Sequence, residues 1–333
     1  MSNSATFRIS IGRVFRRAMA ATLAIVGALL TGCSSTSIPT PVAAAPMAAP
    51  EGPTQPLMMP DNIPSRIQQQ MLSTRRFIGS PGLAWRRRVV TVAFNGGSDP
   101  LYEMIERTAS EWTSSGGQLQ LSFRDAQGRF RQWSPADRSA SAAIRVSFRN
   151  DPDYRGYWSV VGSLAQSVGP GEPTLNLENF PQELARYFNG RDPSGWAASY
   201  EHSVILHEFG HALGLSHEHF HPVCQADLNI DLAIRYLTGP PNDWKEDQAR
   251  FNVDSAYYFN VLAAQSGPLD SRPEASDTID RNSVMLYSFE DRIYRSGSRS
   301  PCKPAPRPGF ATSLSATDRA FFMKHYDQMP GPS

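Results

Sequence analysis

The sequence has little cysteine, three residues in 333. That excludes a miniature scaffold stapled by disulfides, whose chains are short and cysteine-dense. It also lacks an excess of charge of either sign, with 32 Lys and Arg against 31 Asp and Glu. A general grip on nucleic acid needs a basic surface to neutralise phosphates, so no nucleic-acid partner is expected. A membrane-spanning helix needs roughly 20 consecutive apolar residues, and the apolar run Ala18–Leu30 falls well short of that. No internal repeat is visible. What the chain does have is a globular composition, 40% hydrophobic and 10% aromatic, enough to build a core.

The run Ala18–Leu30 follows a basic start of Arg8, Arg13, Arg16 and Arg17, the layout of an export signal. It ends in Leu30-Thr31-Gly32-Cys33. Small residues before a cysteine at that place resemble a bacterial lipoprotein signal; a plain signal peptide with an incidental cysteine is the alternative. The resemblance implies that residues 1–33 are the signal and that Cys33 is lipidated and becomes the new N-terminus. The protein would then be exported and lipid-anchored to a bacterial membrane. Ser34 is similar to the residue of lipoproteins sorted to an outer membrane, facing the periplasm or the cell surface. With Cys33 set aside, Cys224 and Cys302 form an even pair where disulfides persist. Either one bridge or two buried thiols fits.

Residues 34–84 read as a tether or pro-segment. To about Pro64 they are rich in Pro, Ala, Ser and Thr without periodicity, and a short helical patch is expected at Ile67–Phe77. The folded domain is placed at 85–333. Val89–Phe94 is β-branched and ends at the turn signal Asn95-Gly96-Gly97. Leu101–Trp112 has apolar residues at helical spacing behind Asp99-Pro100. Strands are predicted at Gln118–Phe123, Ala143–Phe148, Tyr157–Leu164 and Thr174–Leu177, and a long helix at Ala197–Leu213. Beyond it the spacing is irregular until a last helix at Ser315–Tyr326, capped by Ser315 with Asp318 three residues on. The expected fold class is α+β: a twisted mixed sheet with two long helices in the N-terminal part, and an irregular C-terminal part ending in a helix.

The informative stretch is His207-Glu208-Phe209-Gly210-His211-Ala212-Leu213-Gly214-Leu215-Ser216-His217. On a helix, residues four apart share a face, so His207 and His211 can offer two imidazoles to one ion. Glu208 lies one residue further round, beside the ion, where it can take a proton from a water. His217 would point away if the helix continued. Gly214 can end it, because glycine adopts positive φ without penalty, and the chain can bring His217 back. Three histidines leave a fourth position open, which is the catalytic and not the structural pattern for zinc. His219 and His221 are expected to line the loop after the site, and His202 to be an exposed helix residue.

These residues, His207-Glu208-x-x-His211-x-x-Gly214-x-x-His217, resemble the metzincin signature, and Ser283-Val284-Met285-Leu286-Tyr287 resembles the Met-turn of that clan. Glu218 after the third histidine and Tyr287 two after Met285 are similar to the astacin-like branch. His219-Phe220-His221-Pro222 and Leu286 depart from that branch's usual residues. The resemblance implies a zinc metalloendopeptidase with one zinc ion held by His207, His211 and His217. It implies Met285 as an apolar floor beneath the metal, Glu208 as general base, and Tyr287 as a donor near the metal. It also implies a protein or peptide substrate paired along an edge strand, best matched by Tyr157–Ser163. A non-catalytic zinc-containing binding lipoprotein is the alternative; Glu208 discriminates, since a structural site needs no general base.

Overall fold

The computed structural model describes residues 63–73, 83–183, 193–240, 242–266, 276–307 and 310–327. The expected signal and Cys33 lie outside the described residues. Five strands form one sheet: β1 (Val89–Asn95), β2 (Gln120–Ser122), β3 (Ile144–Ser147), β4 (Tyr157–Ser159) and β5 (Leu175–Leu177). Their order is β2-β1-β3-β5-β4. Neighbours run parallel except β4, which pairs antiparallel with β5 and occupies an edge. Val90, Val92, Ala93 and Phe94 of β1 are all buried, as befits a parallel strand covered on both faces.

The described helices are α1 (Ser65–Ser73), α2 (Asp99–Thr113), α3 (Tyr200–Ala212), α4 (Pro222–Asp227), α5 (Ile230–Thr238), α6 (Glu246–Val253), α7 (Ser255–Ser266) and α8 (Ala316–Tyr326). In α2, Pro100 sits in the first turn, where its missing N–H costs nothing. The helix turns Leu101, Ile105, Ala109 and Trp112 inward and packs against α3. Arg145, buried in β3, spends its guanidinium on the carbonyls of Ala142, Val168, Gly169 and Glu172. That ties down the loop leading into β5. Burial pushes its pKa down to about 10, while the four acceptors take four of the charged form's five N–H donors.

The α+β class, the mixed sheet and the two long helices are as the sequence predicts, and α8 carries the Ser315–Asp318 capping box. Three features differ. First, β4 stops at Ser159 and a 3₁₀ turn follows at Gly162–Ser167. Gly162 has φ +50°, and a side chain there would run into Leu83 O; Ser163 N bonds Leu83 O (2.9 Å) instead of extending the ladder. Second, α4 to α7 fill the stretch read as irregular. Of these, α4 to α6 build a second core around Leu228, Leu237, Trp244, Val253, Ile293 and the Cys224–Cys302 disulfide, while Tyr258 and Leu262 of α7 join the main core. In α5 the Asn229 side chain caps Leu232 N, and Ala233, Ile234, Tyr236 and Leu237 are buried. Third, the short helix expected at Ile67–Phe77 is described at Ser65–Ser73, and this part of the stretch read as tether or pro-segment packs on the domain, with Ile63 and Ile67 buried with the main core.

Candidate metal centre

Helix α3 is encased, with His202 through Ala212 all buried. Its start is fixed by Ser199, whose side chain accepts from His202 N, which is N-cap chemistry. Its end is fixed from three sides. Trp85 Nε1 donates to Ala212 O (2.7 Å) and the Tyr326 hydroxyl to Leu213 O (2.6 Å), so carbonyls a helix end would orphan are satisfied. Gly214 takes φ +99°; its N–H bonds His211 O (2.8 Å) and Leu215 N–H bonds Gly210 O (3.0 Å). That is the Schellman turn, which reverses the chain within two residues.

The reversal carries His217 back to α3. His211 Nε2 lies 3.1 Å from His207 Nε2 and 3.2 Å from His217 Nε2. Tetrahedral ligands about 2.0–2.1 Å from zinc stand about 3.3 Å apart, so the spacing fits one ion. The tautomers agree. His207 Nδ1 faces Val284 O (2.7 Å) and His211 Nδ1 faces Leu215 O (2.8 Å). A carbonyl only accepts, so each Nδ1 carries a proton, and the Nε2 lone pair is the one each ring can offer a metal. Lone pairs this close repel each other unless a cation sits between them. Among the described residues this is the one group of three or more His, Cys, Asp or Glu with donor atoms close enough to share a metal.

Glu208 is fully buried next to His207. Tyr287 is also buried, its ring 4.4 Å from that of His217. Met285 lies under α3 against Gly210: a side chain on Gly210 would meet Met285 Cε at 3.3 Å and Trp112 Cζ2 at 3.0 Å, and Met285 Sδ closer still. Glycine in the last turn of the helix here makes room for that sulfur. Glu218 N bonds Met285 O (3.0 Å), joining the strand of chain after His217 to the turn.

Four residues with roles at the site were not picked out from sequence. Asp318 clasps the turn, accepting from Ser283 Oγ (2.7 Å) and Val284 N (3.1 Å); burial pushes its carboxyl up. Trp85 and Tyr326 cap α3 from the two ends of the domain, and Gly210 seats Met285. Only the Ser315-x-x-Asp318 capping box hinted at the first. Glu218 accepts from Asp280 N (2.8 Å), and its burial pushes it up to about 7.

The other histidines do not join the metal group. His219 Nε2 meets Asn252 O (2.8 Å), its ring stacks on His217 at 4.8 Å, and burial lowers it to about 4. His221 caps α4, accepting from Val223 N, and reaches Ser276 O. His202, expected to be exposed, is buried against Trp196, with Nε2 2.9 Å from Glu111 Oε1; α3 is covered by α2 on that face.

A helix-borne histidine pair, a third histidine behind a glycine turn and a methionine turn beneath are the arrangement that the sequence resemblance to metzincins implies. No family model and no curated protein matches the chain. Among solved structures it aligns with one of myroilysin at 26% identity and TM-score 0.49, covering 76% of this chain and 97% of that one. A second, crystal structure of myroilysin aligns at 24% identity and TM-score 0.42 over 78% and 96%. A hatching enzyme zinc-protease of the medaka fish Oryzias latipes, high choriolytic enzyme 1, aligns at 15% and TM-score 0.38 over 72% and 88%. Likeness at these TM-scores carries no weight by itself; the geometry of the three histidines does.

Proposed function

We propose that the protein is a zinc-dependent endopeptidase of the astacin-like metzincin kind, acting on protein or peptide substrates. The observation that supports this best is the convergence of three imidazole nitrogens with Glu208 buried beside them. A bound zinc would supply Lewis acidity, bringing the pKa of water toward about 7 and polarising a carbonyl. Glu208, on the same turn as His207, is the general base: it takes the proton of the attacking water and hands it to the leaving amine. Tyr287, ring to ring with His217, is the donor to the developing oxyanion. The edge position of β4 offers backbone N–H and C=O groups for an extended substrate. A protein that holds zinc only for structure has no use for a carboxylate buried next to the ligands.

The test is cleavage of a mixed protein substrate by the purified protein, with and without a chelator, beside Glu208→Gln. The amide cannot accept the proton, so the variant should retain its zinc and lose nearly all activity. Turnover by Glu208→Gln at the normal rate removes the general-base role. We infer further that Cys33 carries a lipid and anchors the exported domain to a bacterial membrane, on the strength of residues 8–33 alone. Cys33→Ala should then leave the membrane fraction; if it remains there as firmly as the parent, the anchor lies elsewhere.

A further inference from the structure

Beside the metal group lies a small pocket walled by Val161, Phe220, Phe251 and Tyr258, with His211, His217, Ser216 and Asn252 completing the lining. Its lining carries no acid and no amine. The walls are aromatic: Phe220 and Tyr258 have ring centroids 4.9 Å apart, Phe251 and Tyr258 4.7 Å. One side chain from outside the domain expected from sequence, Ile63, also lines it, at 2% exposure, and the space left over is about 10 Å³. That is room for about one water, so Ile63 fills it.

Ile63 is held there by its backbone. Its carbonyl accepts from Gln248 Nε2 (3.3 Å) and Gln68 Nε2 (2.9 Å). Helix α1 follows directly, resting on α7 and on the 3₁₀ turn after β4, with Gln70 Oε1 taking Gly169 N (3.0 Å). A stretch of chain thus presents one aliphatic side chain to an apolar pocket at the ligands, with its carbonyl held by an amide. An extended substrate could present itself in the same way. Val161, in the wall, is two residues beyond the end of β4, the edge where such a substrate would pair.

We infer that this pocket is a side-chain subsite selecting a branched aliphatic residue of the substrate near the scissile bond, and that Ile63 occupies it in the intact chain. The inference rests on the peptidase reading for the word substrate, but not for the recognition. Selectivity follows from the walls: an aliphatic chain exchanges water for aromatic carbon, whereas a carboxylate there would lose its water with no lysine or arginine in the lining to neutralise it.

The test uses the full chain carrying Glu208→Gln, so that peptide is bound and not consumed. The probes are two fluorescent hexapeptides identical except for a central Ile or a central Asp, read by polarisation. Ile63→Ala and Ile63→Ser each vacate the pocket. Both should tighten binding of the Ile peptide about tenfold and leave the Asp peptide unchanged, and adding Phe251→Ala should abolish the difference between the peptides. If vacating the pocket changes neither peptide, or both alike, the subsite is refuted. Cleavage by the chain with Glu208 intact separates the two readings. Selective binding without any cleavage removes the peptidase and keeps the pocket. Cleavage sites with no aliphatic enrichment remove the pocket and keep the peptidase.

Discussion

Replacing Gly210 by alanine tests whether the helix is built around the methionine turn. By propensity alone the change should help, since glycine inside a helix costs roughly 0.5–1 kcal/mol relative to alanine. The surroundings oppose this. The new methyl would meet Trp112 Cζ2 at 3.0 Å and Met285 Cε at 3.3 Å, with Met285 Sδ nearer still, against the roughly 3.5–4.0 Å of relaxed carbon contacts. Neither neighbour yields easily. Trp112 is fully buried and its indole N–H is bonded to Leu206 O (2.9 Å). Met285 is 1% exposed, and the carbonyl before it receives His207 Nδ1. Overpacking of this kind costs about 1–3 kcal/mol. Setting the propensity gain against it leaves a net loss of about 1 kcal/mol, a fall in melting temperature of roughly 2–4 °C for a domain of this size. Because the displaced turn also aims His207, zinc should bind more weakly as well. Thermal unfolding with and without zinc measures both, with Gly195→Ala as control, where nothing lies within 4 Å. A Gly210→Ala protein that melts higher than its parent, with undiminished zinc affinity, refutes the argument.

Two further outcomes are expected. The Cys224–Cys302 disulfide closes a loop with a sequence separation of 78, so replacing both cysteines by serine should cost about 4.5 kcal/mol on the chain-entropy account, read as a lower denaturant midpoint; an unchanged midpoint counts against that account. Asp227 governs an acid limb of stability. Burial alone would raise its carboxyl, but bonds from Ser296 Oγ and N and from Ser300 Oγ override it and hold the group below its ordinary 3.8. Its contribution is therefore present above that pH and lost as pH falls through the lower folded value. Asp227→Asn should flatten the dependence of the unfolding midpoint on pH in that range; an unaltered slope assigns the limb to other groups.

Local sequence determined almost completely how the three histidines meet. The i, i+4 spacing of His207 and His211 puts both on one helical face, and only a residue at ease with positive φ could turn the chain fast enough to return His217; Gly214 does so at +99°. β1 and α2 were legible for a similar reason, since β-branched runs and helical periodicity are written within a dozen residues. The last helix announced itself through its Ser315–Asp318 capping box.

Tertiary structure decided what depends on partners far along the chain. Nothing near His202 foretells burial, because α2 and Glu111 supply the cover. The stop of β4 at Ser159 is set by Leu83 lying across Gly162, and the role of Asp318 by a turn 34 residues earlier. The C-terminal end of α3 is closed by Trp85 and Tyr326, which are 241 positions apart in sequence. Even the glycine at 210 has a meaning only once Met285 is beneath it. Ligand geometry is local because it is a property of one helix and one turn. Clasps, caps and covers are contacts between segments, and side-chain spacing within any one segment does not encode which other segment will arrive.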